Sequence, residues 1–71
     1  MKKKIFIEGM SCGHCVARVE KAFKEQELVK EVTIDLAGKN AVIELTEELS
    51  DERIKEIIDD IGYDVVNIES L

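Results

Sequence analysis

The sequence has 71 residues, 45% of them hydrophobic and 37% charged, with a net charge of −6 and no proline or tryptophan. A chain of this size makes one domain, residues 1–71, with a thin core, since only about 60% of the unfolded chain's surface leaves water at this length. The acidic balance excludes a nucleic-acid binder, whose phosphates need a basic surface, and no run approaches the ~20 apolar residues that span a bilayer.

The first element is a short strand, Lys4-Ile5-Phe6-Ile7-Glu8, with Ile5 and Ile7 on one face and Gly9 at its end. Behind the basic opening, Ile5 to Ile7 falls short of the ~7–15 apolar residues of a secretory signal. The expected compartment is therefore the cytoplasm, where thiols stay reduced. After Gly9 comes a loop, and then Val16, Val19, Ala22 and Phe23 recur at helical spacing, which predicts a helix from about Cys15 to about Gln26. Glu20–Lys24 and Lys21–Glu25 lie one turn apart on its exposed side.

Val29 to Leu36 alternates, with Val32, Ile34 and Leu36 on the apolar side, and Asn40 to Leu45 is a second strand of the same kind. The turn Ala37-Gly38-Lys39-Asn40 joins them in a hairpin. Ser50 is a good N-cap for the second helix, Asp51 and Glu52 suit the positive end of its dipole, and Leu49 with Ile54 forms a hydrophobic staple. Ile54, Ile57, Ile58 and Ile61 make the buried stripe, Gly62 stops the helix, and Tyr63 to Glu69 is the last strand. The order strand, helix, strand, strand, helix, strand is satisfied by an α+β, ferredoxin-like sandwich: a four-stranded antiparallel sheet with two helices on one face.

The chemistry is concentrated in Gly9-Met10-Ser11-Cys12-Gly13-His14-Cys15, which holds both cysteines, the one histidine and one of two methionines. A redox pair, a metal clasp and a structural turn compete for it. Cysteines two residues apart close too small a loop to staple a core. A thiol–disulfide oxidoreductase of the thioredoxin type places a cis-proline opposite its cysteine pair, and this chain has no proline. A structural zinc site needs four ligands, more than two cysteines and one histidine give a monomer. Thiolates are soft ligands suited to Cu(I).

Gly9-Met10-Ser11-Cys12-Gly13-His14-Cys15 resembles the GMxCxxC signature of heavy-metal-associated domains, and Val16-Ala17-Arg18-Val19-Glu20 resembles the first helix of bacterial copper chaperones of the CopZ type. Gly62-Tyr63 resembles the Gly-Tyr pair those proteins carry before their last strand. The resemblance implies a two-coordinate, nearly linear Cu(I) held by Cys12 and Cys15, with net charge −1. Cys15, at a helix N-terminus, meets unpaired N–H groups and a dipole that favour this charge and lower a thiol's pKa. A site short of ligands accepts an incoming thiolate before an original one leaves, and so passes its ion on. Zn(II), Cd(II) and Hg(II) suit the same sulfurs as non-physiological ligands.

Around the sulfurs, Met10 is read as a core anchor beneath the loop rather than a thioether ligand, and His14 as an exposed spacer rather than a third ligand. The resemblance places the Tyr63 ring beside the loop, shielding the metal. Arg18, Lys21 and Lys24 make the exposed side of the first helix basic, with Lys39 at the same end, while the second helix collects Asp51, Glu52, Glu56, Asp59 and Asp60. The basic face is expected to guide docking to an acidic patch on an acceptor. The resemblance implies as acceptors a copper-exporting P-type ATPase, a copper-responsive repressor, or both, with transient contact to the membrane protein. The expected protein is not an enzyme; it is a monomer without metal, and copper could bridge two copies. Similar domains also serve as N-terminal modules of copper-transporting P-type ATPases, but the chain runs from methionine to just past the last strand, as expected of a free carrier.

Overall fold

The computed structural model describes residues 1–10 and 13–71, so that Ser11 and Cys12 lie outside the described residues. Six elements follow in the expected order: β1 (Lys2–Glu8), α1 (Gly13–Lys24), β2 (Val29–Asp35), β3 (Asn40–Leu45), α2 (Asp51–Asp60) and β4 (Asp64–Ser70). The strands form one sheet in the order β2-β3-β1-β4, and every neighbouring pair is antiparallel. Both helices cover one face, which is the ferredoxin-like arrangement.

Alternation dictates which side chains meet the helices. Ile5 and Ile7 of β1, Ala41, Ile43 and Leu45 of β3, Val19 and Phe23 of α1, and Ile54, Ile57 and Ile58 of α2 are all buried. Each large side chain so buried contributes about 1.5–3 kcal/mol, and with few of them the core depends on each. The opposite face of the sheet is open, and there Lys4 lies over the Phe6 ring, 5.2 Å from its centroid.

Helix α2 begins and ends as its sequence signals require. The Ser50 side chain accepts from the Arg53 backbone N–H, and Leu49 and Ile54 are both buried. At the other end the N–H groups of Gly62 and Tyr63 donate to the carbonyls of Asp59 (3.0 Å) and Ile58 (3.2 Å). This is a Schellman turn, and it needs the positive φ of +88° that Gly62 supplies. It fixes the backbone of Tyr63 at the exit of the helix.

The structure differs from the sequence expectations at four places. Helix α1 starts at Gly13, two residues before the expected Cys15, and ends at Lys24, two residues before the expected Gln26. Leu36, expected on the packed side of β2, is exposed, because the strand stops at Asp35. The turn then begins with Lys39 N–H donating to Leu36 O (3.2 Å) and Gly38 N–H to the Asp35 carboxylate (3.0 Å). Tyr63 precedes β4 rather than opening it. Within β4 the register shifts, Phe6 facing Asn67 but Ile7 facing Val65. Val66 is therefore the extra residue of a bulge and is 64% exposed.

Lys3 is the fourth difference. It shares the inward face of β1 with Ile5 and Ile7 and is 5% exposed. Its ammonium lies 2.9 Å from Leu49 O, 2.9 Å from the Glu48 carboxylate and 3.0 Å from that of Asp51. Burial alone would pull its pKa down, but the hydrogen bonds and charges of Glu48 and Asp51 outweigh this and hold it above 10.5. The start of α2 is thereby tied to the sheet.

Candidate metal centre

The centre forms where β1 gives way to α1. Gly9 ends β1 with φ +94°, a conformation that turns the chain out of the strand and that a side chain would strain. Met10 follows and is 3% exposed, one of the core residues. It thus lies with the apolar side chains beneath the loop. Cys12 lies outside the described residues, and α1 then begins at Gly13.

Cys15 is the third residue of α1, half-buried and packed against the core cluster. Its place in the first turn sets it among backbone N–H groups that have no partner within the helix. His14, its neighbour, is exposed. Arg18, three residues on and so one turn along the same helix, is exposed as well.

Tyr63 reaches the centre from the far side of the fold. A Cβ on Gly9 would stand 3.2 Å from the Cδ1 of Tyr63, so the ring lies directly against the entry to the loop. The Tyr63 hydroxyl faces Cys15 and Arg18. The bond to Cys15, burial and repulsion by the charge of Cys15 push the phenol's pKa up, against the opposing charge and hydrogen bond of Arg18. Three elements thus converge: the end of β1 through Gly9, the first turns of α1 through Cys15 and Arg18, and the exit of α2 through Tyr63.

Two features outside this contact complete the surroundings. The β2–β3 turn comes up beside the loop, because the Ile7 N–H donates to Lys39 O (2.9 Å). Lys39, Leu36, Gly9 and Met10 line a shallow depression there. Along α1, Lys21 and Lys24 are exposed, and Lys24 pairs with Glu20 at 2.8 Å. A groove between α1 and α2 is lined by Arg18, Lys21, Ala22, Glu25, Asp60 and Ile61.

The sequence assigns Arg18 to docking and does not show that its charge acts on Tyr63. The spacing Cys15–Arg18 was the available signal, since residues three apart share a helix face; that Tyr63 comes between them is visible only in the fold.

The heavy-metal-associated domain model matches residues 4–64, which takes in the whole loop and Tyr63. The chain belongs to the heavy-metal-associated domain family. Among members of this family, it is 38% identical over 64 residues to the copper chaperone CopZ of Enterococcus hirae, covering 89% of this chain and 93% of CopZ. It is 40% identical over 68 residues to the probable copper-exporting P-type ATPase of Archaeoglobus fulgidus, covering 94% of this chain but 8% of the ATPase. Of solved structures, a CopZ metallochaperone superposes with a TM-score of 0.86 at 31% identity, covering 93% of this chain and all of that one. The heavy-metal-associated domain here thus spans nearly the whole of one kind of relative and less than a tenth of the other.

Proposed function

We propose that this chain is a cytoplasmic copper chaperone that binds Cu(I) through Cys12 and Cys15 and passes it on by ligand exchange. The observation that carries this reading is the match to CopZ along nearly the full length of both chains. The geometry around Cys15 supports it. A sulfur in the first turn of a helix, half-exposed and beside a phenol hydroxyl, can serve as a thiolate ligand that an incoming thiolate can still approach. Two soft sulfurs favour Cu(I), with Zn(II), Cd(II) and Hg(II) as non-physiological competitors. The chain breaks no covalent bond in a substrate and acts as a carrier, not an enzyme.

The acceptor on this reading is a copper-exporting P-type ATPase, met transiently at the membrane, or a copper-responsive repressor. Lys21 and Lys24 offer an acidic acceptor a positive face close to the cysteines. At a screening length of about 8 Å this local face weighs more than the net charge of the chain. The apo chain is a monomer, and copper can bridge two copies through four thiolates.

A Cu(I) competition titration tests the assignment. Wild type should capture one equivalent against a modest chelator, while Cys12→Ser and Cys15→Ser should each lose tight binding and keep their circular dichroism. Tight binding by either variant would remove the paired-thiolate site. The identity to the P-type ATPase favours a second reading, an N-terminal module of such a transporter. Immunoblotting separates the two: a chaperone runs at 8.0 kDa in the soluble fraction, a module in the membrane fraction at the size of its transporter. Docking is tested by Lys21→Glu with Lys24→Glu, which should slow transfer to the acceptor at low salt. Unchanged transfer would leave these lysines as a solvated face.

A further inference from the structure

The open side of the sheet has one corner where charge is left unanswered on both flanks of an apolar centre. Phe6, Ile7, Glu8, Gly38, Lys39 and Val66 border a depression there, at the metal-loop end of β1. Val66, pushed out by the bulge, is 64% exposed, and Phe6, on the strand between β3 and β4, is half-buried. Toward β4, Glu8 is paired in register with Asp64, and two carboxylates set opposite one another repel. Toward β3, Lys39 is exposed and holds φ +55°, a conformation that a side chain strains. It is kept there because its N–H donates to Leu36 O (3.2 Å) and its carbonyl accepts from the Ile7 N–H (2.9 Å). None of the ion pairs among the described residues includes Glu8, Asp64 or Lys39.

A cation and an acid pair on either flank of an apolar centre make a surface that is complementary to itself under a two-fold rotation. We propose that this corner is the face by which two copies of the chain meet when copper bridges them. The inference rests on the reading of the cysteine loop as a Cu(I) site that can join two copies. In the pair, Glu8 of each copy faces Lys39 of the other, and the Phe6 and Val66 side chains close the centre. Glu8 directly precedes Gly9, and Lys39 also borders Gly9 and Met10. The contact therefore sets each metal loop beside the other. The patch is small, so without the metal two copies separate. Once the metal joins them the contact is intramolecular, and its modest strength counts.

Sedimentation velocity at low salt, with half an equivalent of Cu(I) per chain, tests the pairing. Wild type should sediment as a dimer. Glu8→Lys and Lys39→Glu should each weaken that dimer about ten-fold, since two symmetry-related pairs turn repulsive at once. The double variant, Glu8→Lys with Lys39→Glu, should regain wild-type dimerisation because the exchanged charges still meet across the two-fold. Competition with bicinchoninate and thermal melts check that every variant holds Cu(I) and folds. A loss at one position and a gain at the other would mean that net charge alone governs association, and overturns the proposal. An equal loss in the double variant and the single ones overturns it as well. Dimerisation unmoved by any variant does the same and leaves this corner to a different partner. A loaded wild type that stays monomeric also overturns the proposal, whereas a wild type that captures no Cu(I) from bicinchoninate overturns the metal-site reading beneath it.

Discussion

At one end of β1, Lys3 is sealed under the start of α2 with its charge answered by Glu48, Asp51 and the Leu49 carbonyl. At the other end, past Gly9, Cys15 stands half-exposed with the Tyr63 hydroxyl against it. Both ends place a charge-bearing group beside a helix N-terminus, but with opposite outcomes. The lysine end is complete within the chain, and its interactions stabilise the fold. The cysteine end leaves a soft sulfur half-exposed, with the Tyr63 ring beside the loop. A domain of this size can keep one end open because the other is closed.

The comparison can be broken by making the closed end fail. Lys3→Ala removes a buried stem and leaves the Leu49 carbonyl without its donor, and because both carboxylates remain solvated the loss should be about 2 kcal/mol, less than for a fully buried pair. In a domain this small that lowers the melting temperature by about 10 °C, measured by circular dichroism, and Cu(I) retention should not change. Lys3→Met keeps the stem and should cost about half as much. A change in Cu(I) retention in either variant would show that the two ends are not independent.

Gly9→Ala probes the open end. Its φ of +94° and the 3.2 Å approach to the Tyr63 ring together should cost about 1–2 kcal/mol. Because the ring must shift, Cu(I) retention should fall too, in the same competition assay. Gly62→Ala meets no side chain and pays for its φ of +88° alone, about 1 kcal/mol of stability. Equal stability losses at the two glycines would mean that the ring gives way freely.

The smallest effect is one of pH. Lys3 keeps its proton above 10.5 in the fold, so its contribution is complete below 10.5 and fades as pH rises through the higher folded value. Stability followed by urea denaturation should fall on the alkaline side of 10.5, and Lys3→Met should flatten that fall. An unchanged alkaline limb in Lys3→Met would place the loss elsewhere.

Much of the fold could be read from local signals. Ser50, Leu49 and Ile54 announced the start of α2, Gly62 its end, and the isoleucine stripe its buried side. What escaped the reading depended on partners remote in sequence. Lys3 looked like part of a basic opening because its oxygens come from residues 48 to 51, although its alternation with Ile5 and Ile7 already put it on the inner face. Val65 and Ile68 are three apart, a spacing that alternation cannot place on one side of a strand; the bulge at Val66 resolves it. At the centre, Met10 as a core residue, His14 as exposed and Tyr63 as a neighbour of the loop were expected, and the structure places these side chains accordingly. The influence of Arg18 on Tyr63 was not, since it needs the exit of α2 to arrive beside the first turns of α1.

The sheet has two outer strands, and each carries a register break: β4 at Val66, and β2 between Val29 and Glu31. An unbroken outer strand offers a ladder of amide groups to any similar molecule that drifts past. When many copies crowd together, such ladders can join. The kinked margins of this sheet deny a neighbour that continuous template.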